Sequence, residues 1–313
     1  MLSTFPKFSS FPTHPKPFLK WAGGKNQLIE QMNNFFPHQL LDGSIKKYVE
    51  PFIGGGAVFF YIASQYQIPE LFISDINEEL VIAYKTIQHN VNDLIGLLSE
   101  IEKEFLLLDD IARNKYFYNI RTHFNQRKKS IDLQNYNSEW LERTAQLIFL
   151  NKACFNGLFR VNSQGNFNVP VGKYKNPGIC DPINLKSVAQ ILQKTHIYHG
   201  DFSHCEHLVD KHTFVYFDPP YRPISNTSSF NSYSQKSFND VEQLRLRDFF
   251  KKLDAKEALL LLSNSDPKNE NINDTFFEVA YASYRIEKVK AKRNINSNAL
   301  KRSSISELLI MNY

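Results

Sequence analysis

The sequence predicts an α/β fold: a doubly wound mixed sheet interrupted by a mainly helical insertion. Three observations carry that reading. Short runs rich in β-branched and aromatic residues recur along the chain and mostly end in turn residues. Helical patterns fall between them, as in a parallel α/β sheet. The alternation then stops between residues 90 and 194, a stretch too long for a simple connection.

Taken in order, residues 1–16 read as a flexible arm. The opening MLSTFPKFSSFPTHPKP carries four prolines and no apolar core of a signal peptide. Strands are expected at Lys47–Ile53, Glu70–Asp75, Thr195–Gly200, Thr213–Asp218 and Ala258–Asn264, with a further apolar run at Ile305–Asn312. Helices are expected at Gly56–Gln65, Asn77–His89 and Asn239–Leu253; the last opens Asn239-Asp240-Val241-Glu242, an N-cap with an acid three residues on. Residues 17–89 and 195–313 would then form one domain, with 90–194 a helical insertion whose second half, Asn151–Pro177, is an ordered loop rich in Asn, Gly and Pro.

Composition narrows the function classes. Hydrophobic residues make up 42% of the 313 and charged residues 22%, which speaks against disorder and coiled coil. No apolar run reaches the ~18 residues of a membrane helix. Three cysteines, Cys154, Cys180 and Cys205, without a CxxC pair, suit a reduced cytoplasmic compartment. The net charge is only +5, but it is uneven: Ile111–Asn176 holds 11 Lys/Arg against 3 Asp/Glu, and Arg285–Arg302 holds seven Lys/Arg against Glu287 alone. Two basic zones suggest a polyanion partner, although solvated helix faces would look the same.

Chemistry enters at three places. Tyr48–Phe60, YVEPFIGGGAVFF, reads as a strand, a glycine turn at Gly54-Gly55-Gly56 and a helix, which lets a ligand approach the backbone at the carboxyl end of a strand. The next strand ends at Asp75, where a carboxylate can bond ribose hydroxyls. Together they imply an adenosine-type cofactor; a tight turn and a capping Asp would give the same pattern. Gly23-Gly24-Lys25 is not a phosphate loop, since GxxxxGK[ST] is absent, and reads as a turn with Trp21 and Lys25 aimed at the sheet edge. The third place is FVYFDPPYRP. A hydrophobic strand ends in Asp218-Pro219-Pro220-Tyr221, and prolines donate no N–H. The Asp218 carboxylate and the Pro219 carbonyl thus become adjacent acceptors for an exocyclic amine, with Tyr221 as a stacking face. Two HxxH pairs, His196/His199 and His204/His207, imitate a metal site, but they straddle a strand end, and no metal is expected.

At this point the sequence resembles the Dam-type DNA adenine-N6 methyltransferases. The matching blocks are Phe18–Lys25, Glu50–Phe60, Ser74–Asn77, Asn151–Pro177, Gly200–Phe202, Val215–Pro223 and Ser263–Ser265, and Asn151–Pro177 is the most diagnostic because it lies outside the shared cofactor fold. The resemblance implies a Rossmann-like catalytic domain, S-adenosylmethionine as the cofactor without a metal, and the insertion as a target-recognition subdomain. It places Trp21, Lys25, Phe52, Gly54, Asp75, Asp201, Phe202 and Asp218 around the cofactor, and Asp218, Pro219, Pro220 and Tyr221 at the reacting amine. Lys20, Phe155, Asn156, Leu158, Arg160, Asn162, Pro170 and Tyr174 fall at DNA-contacting positions, with Phe155 able to fill the gap left by a flipped base. Arg293 and Arg302 of the second basic zone are expected on the phosphates.

The implied activity is methyl transfer to N6 of adenine in double-stranded DNA, at GATC, by base flipping and direct attack of the amine. The implied enzyme is a cytoplasmic monomer, acting beside a cognate restriction endonuclease or alone. N4-cytosine methylation, methylation of an RNA or protein amine, and non-catalytic DNA binding are the competing readings.

Overall fold

A computed structural model describes residues 14–127, 132, 136–222, 238–291 and 305–313. Its sheet has seven strands: β1 (Lys47–Glu50), β2 (Glu70–Asp75), β3 (Thr195–His199), β4 (Thr213–Phe217), β5 (Leu259–Ser265), β6 (Arg285–Ala291) and β7 (Ile305–Met311). Their order is β3-β2-β1-β4-β5-β7-β6. β1 pairs in parallel with β2 and β4, and β4 with β5, while β7 runs antiparallel to both β5 and β6. The sheet is therefore mixed and mostly parallel, and the α/β expectation holds.

Packing divides the described residues into two compact units. One holds those within Lys25–Ile53, Ile68–Ile76 and Gly200–Tyr313; the other holds those within Met1–Gly24, Gly54–Gln67 and Asn77–His199.

The first unit is built on β1, β2 and β4 to β7. All five residues of β4, TFVYF, are buried, as is expected of a parallel strand covered on both faces. Besides the short helices α1 (Ile29–Met32) and α2 (Gln39–Asp42), its main helix is α8 (Asp240–Asp254), followed by α9 (Phe276–Ala280). Asn239 caps α8 by accepting the Glu242 N–H, and Lys251 and Lys252 occupy the last turn, where cations oppose the helix dipole. Leu246, Phe249, Phe250 and Leu253 of α8 pack with Val215 and Phe217 of β4 and Leu260 and Leu262 of β5 in one hydrophobic core.

The second unit is mainly helical: α3 (Ala57–Gln65), α4 (Glu78–Leu107), α5 (Asp110–Gln126), α6 (Ser138–Ala153) and α7 (Pro182–Leu192). Asn77 caps α4, and the backbone leaves helical geometry at Asn90 (φ −145°, ψ 49°). Arg143 of α6, 4% exposed, donates both to Glu79 of α4 and to the Phe124 carbonyl of α5. That buried ion pair ties three helices together.

Three sequence expectations are corrected. β1 ends at Glu50 rather than Ile53, because Pro51 has no N–H for the ladder; pairing resumes where the Ile53 N–H donates to Ser74. β5 is displaced one residue later at each end, to Leu259–Ser265. The basic segment beginning at Arg285, for which no strand was expected, starts as β6 at the sheet edge, a place where charged residues are common on strands. The arm's residues 1–13 and Arg293 and Arg302 lie outside the described residues.

Candidate active site and nucleic-acid interface

In the sheet unit, Asp218 follows β4 directly. Lys25 Nζ lies 2.7 Å from Asp218 Oδ1, and the Ser263 hydroxyl donates to the same oxygen at 2.9 Å. Ser263 is in turn joined to Tyr216 at 2.9 Å. One carboxylate oxygen thus anchors Asp218, and neither of these bonds uses the other. Lys25 is only 2% exposed, and its ammonium also lies 4.6 Å from the centre of the Tyr221 ring and 3.9 Å from Glu307. A cation with so little water needs these anionic and aromatic neighbours.

The chain leaves the strand under close control. Pro219 is buried and Pro220 exposed. Gln243 of α8 donates to the Pro220 carbonyl at 3.0 Å and receives a bond from Asn264 of β5, which also accepts the Arg222 N–H. The Tyr221 hydroxyl donates to Glu307 of β7 at 2.5 Å. Burial pushes the Tyr221 phenol well above its ordinary value. It also raises the Glu307 carboxyl, against the opposing pull of Lys25 and the Tyr221 bond. Deeper in the sheet, Glu50 is 2% exposed and accepts from Tyr48 at 2.5 Å, and burial drives its carboxyl well above the ordinary carboxylate range.

Two other carboxylates lie at the same kind of sheet edge. Asp75 ends β2, half-buried, and its carbonyl accepts the Gly200 N–H at 3.1 Å. Asp201 caps the 3-10 turn Phe202–Leu208 through the Ser203 N–H, and Arg245 grips both its oxygens at 2.8 and 2.7 Å. The Arg245 guanidinium holds the Asp201 carboxyl well below the usual carboxylate range. Phe202 is buried, and its ring lies 5.3 Å from that of Phe52 and 6.2 Å from that of Phe238, so the two aromatics expected near the cofactor do meet.

The helical unit contains the other expected residues. Gly54 (φ +48°) and Gly56 (φ +76°) adopt left-handed backbone conformations in the turn after β1. A Cβ on Gly54 would come within 3.0 Å of the Trp21 ring, and one on Gly56 within 2.5 Å of the Tyr84 hydroxyl. That hydroxyl donates to the Gly54 carbonyl at 3.1 Å. Trp21 also stacks on Phe159 with ring centres 5.0 Å apart, tying the glycine turn to the Asn151–Pro177 loop.

Asn151, fully buried, holds that loop to the N-terminal segment. Its side chain accepts the Lys20 N–H and donates to the Lys20 and Gly157 carbonyls, at 2.9, 3.0 and 3.0 Å. The outer surface of the loop is polar and open. Phe155 is 54% exposed, Asn156 is exposed with φ 58°, and the Pro170 carbonyl accepts the Phe155 N–H. Leu158 is half-buried, and Tyr174 lies under the Lys20 ammonium at 5.6 Å. Arg160 is exposed and, among the described residues, tethered through Nε alone, which donates to Asn168 at 2.8 Å. Asn162 shapes a turn by accepting the Gln164 and Asn166 N–H groups.

Sequence reasoning missed Glu307, Gln243, Arg245 and Asn151 as contributors, and had given Ser263 no role. In the sheet unit, Asp75 and Asp218 are acceptors of the kind that take ribose hydroxyls and ammonium groups; in the helical unit, the glycine turn leaves its backbone open to close approach. Burial pushes the Cys154 thiol up to about 11 and Cys205 up to about 12, which makes both poor nucleophiles. Among the described residues no cluster of three or more His, Cys, Asp or Glu is arranged to hold a metal ion.

Comparison with known proteins adds the family. Residues 21–295 match the family model described as D12 class N6 adenine-specific DNA methyltransferase. A type II methyltransferase, M.MjaIII of Methanocaldococcus jannaschii, is 49% identical over 95% of this chain and 99% of its own length. The type II methyltransferase M1.LlaDCHI of Lactococcus lactis subsp. cremoris is 37% identical over 95% of each chain. A DNA adenine methylase of Haemophilus influenzae is 32% identical over 94% of this chain and 92% of its own.

Proposed function

The chain belongs to the D12 class N6 adenine-specific DNA methyltransferase family, and on that premise we propose that it methylates adenine at N6 within GATC sites of duplex DNA, in the manner of the Dam-type enzymes. The observation that carries the mechanism is the anchoring of Asp218 through a single oxygen by Lys25 and Ser263. The second oxygen and the Pro219 carbonyl are the acceptors for the two N6–H groups. Those bonds draw the nitrogen lone pair out of conjugation with the ring and aim it at the donor. Tyr221 offers its ring to the adenine, which has to leave the stack to be reached. S-adenosylmethionine, when bound, supplies an already activated methyl group on its sulfonium. Catalysis by the chain is therefore mostly positioning.

Trp21, Lys25, Phe52, Gly54, Asp75, Phe202 and Asp218 are proposed as cofactor-binding residues. Asp201 has a weaker claim, since Arg245 and Ser203 already engage its carboxylate. Lys20, Phe155, Asn156, Leu158, Arg160, Asn162, Pro170 and Tyr174 are proposed to meet the DNA, with Arg293 and Arg302 on phosphates. Relatives named type II methyltransferases support a protective role against a cognate restriction endonuclease. No described helix is long and apolar enough to cross a membrane.

The test offers labelled S-adenosylmethionine with DNA, RNA and protein in parallel, followed by base-resolved mapping of the labelled DNA. The expected product is N6-methyladenine in DNA, confined to GATC. Label in cytosine, RNA or protein overturns the reaction; N6-methyladenine at another sequence overturns the site.

A further inference from the structure

Glu307 lies where the rule that ligands meet the carboxyl ends of parallel strands does not look. β7 runs antiparallel to β5, with Glu307 opposite Ser265, so the beginning of β7 lies beside the end of β5. Leu308 and Ile310 alternate into the hydrophobic core packed with α8 and α9, which puts Glu307 on the other face of the strand. There its carboxylate, 14% exposed, accepts the Tyr221 hydroxyl at 2.5 Å and lies 3.9 Å from Lys25 Nζ. The same ammonium holds Asp218 at 2.7 Å and lies over the Tyr221 ring at 4.6 Å. Asp218, Lys25, Tyr221 and Glu307 thus form one closed knot, in which the carboxylate from the last strand fixes the far end of the tyrosine.

A carboxylate so little exposed is costly to keep there without partners. A purely structural role would be served by an uncharged residue at this little-exposed position. The hydrogen bond instead fixes where the far end of the Tyr221 ring lies: the hydroxyl oxygen sits on the Cβ–Cγ axis and is unmoved by rotation about it, whereas rotation about Cα–Cβ swings the whole ring and carries the hydroxyl away from Glu307. We propose that Glu307 is a positioning residue for methyl transfer, acting through Tyr221 to hold the whole ring in the place where the target adenine is received. This rests on the reading of Asp218-Pro219-Pro220-Tyr221 as the site of amine methylation.

The test measures kcat and both KM values on a duplex substrate for the parent, E307A, E307Q, Y221F and the double variant Y221F/E307A. E307A is expected to lose about tenfold or more in kcat, as displaced reacting groups do, with KM for DNA and cofactor changed less than about threefold. E307Q, whose amide oxygen still accepts the phenol proton, should recover most of that loss. The double variant should be no slower than the slower single variant, since both remove one bond. Parental kcat in E307A, or single effects that multiply in the double variant, overturns the proposal. Should E307A fail to fold, Y221F removes the same bond from the other side, and parental kcat in that variant overturns it equally. If the parent itself transfers no methyl group to DNA adenine, the reading of the site falls and this inference with it. If the parent is active and only the Glu307 and Tyr221 variants are indifferent, the inference alone falls.

Discussion

Asp218 and Asp201 are the same residue type in the same structural unit, each paired with a cation, and they have come to different ends. Arg245 spans both oxygens of Asp201, Ser203 adds two more bonds, and the carboxylate caps a turn. Among the described residues, Asp218 is held by Lys25 and Ser263, both at one oxygen. Their cations differ as much: Lys25 is 2% exposed, whereas the Arg245 side chain is 40% exposed. The lesson is that a motif names a carboxylate, but the number of its lone pairs already committed decides whether it has chemistry left to do.

Removing each cation is the most direct way to widen or close that gap. Lys25→Met removes the buried charge that the half-buried Asp218 and Glu307 share, and should lower unfolding free energy by about 3–5 kcal/mol and abolish methyl transfer. Arg245→Ala removes a screened surface cation and should cost no more than about 1 kcal/mol. Urea titrations of the two variants giving equal losses would erase the distinction.

The contrast recurs among the arginines. Among the described residues, Arg245 is engaged through all three guanidinium nitrogens, whereas the exposed Arg160 is tethered through Nε alone. A guanidinium held that way can still donate a parallel pair to guanine O6 and N7. Arg160→Ala should therefore lose about 1–3 kcal/mol of discrimination at one guanine, measured by competition between the parent site and its single-base variants. Uniformly weaker methylation of every site would make Arg160 a phosphate contact instead.

The smallest expected effect belongs to Asp201. Its folded pKa is depressed by Arg245, so its contribution to stability is present above the unfolded carboxylate value and is lost as pH falls. Asp201→Asn should be less stable than the parent by no more than about 1 kcal/mol near neutrality, and the difference should shrink below about pH 4. A difference that persists unchanged at pH 2 would mean the carboxylate charge is not its source. A large loss of cofactor affinity in the same variant would return Asp201 to the cofactor set.

Much of this was legible in the chain. Gly54, Asp75 and Asp218 could be read because local rules govern them: a left-handed turn needs glycine, and apolar strands end in acceptors. Glu307 could not, because an antiparallel strand delivers its beginning rather than its end to the sheet edge. Arg245 escaped notice because its pairing with Asp201 joins residues 44 positions apart across α8. β6 was hidden by its own composition: Arg285, Lys288 and Lys290 read as part of a basic zone, and edge strands tolerate the same charges. Asn151 was within a matched block, but only the folded loop shows it gripping the Lys20 backbone from both sides.

The central claim is that the uncommitted oxygen of Asp218 receives the adenine amine. Single-turnover methyl transfer on a defined GATC duplex, with DNA binding measured in parallel, tests it in the parent, Asp218→Ala and Asp218→Asn. Both variants should bind DNA within a few-fold of the parent while the transfer step slows by about 10²–10³-fold or more, the scale of a lost preorganised polar contact. A transfer step near the parental rate in Asp218→Ala would contradict the account.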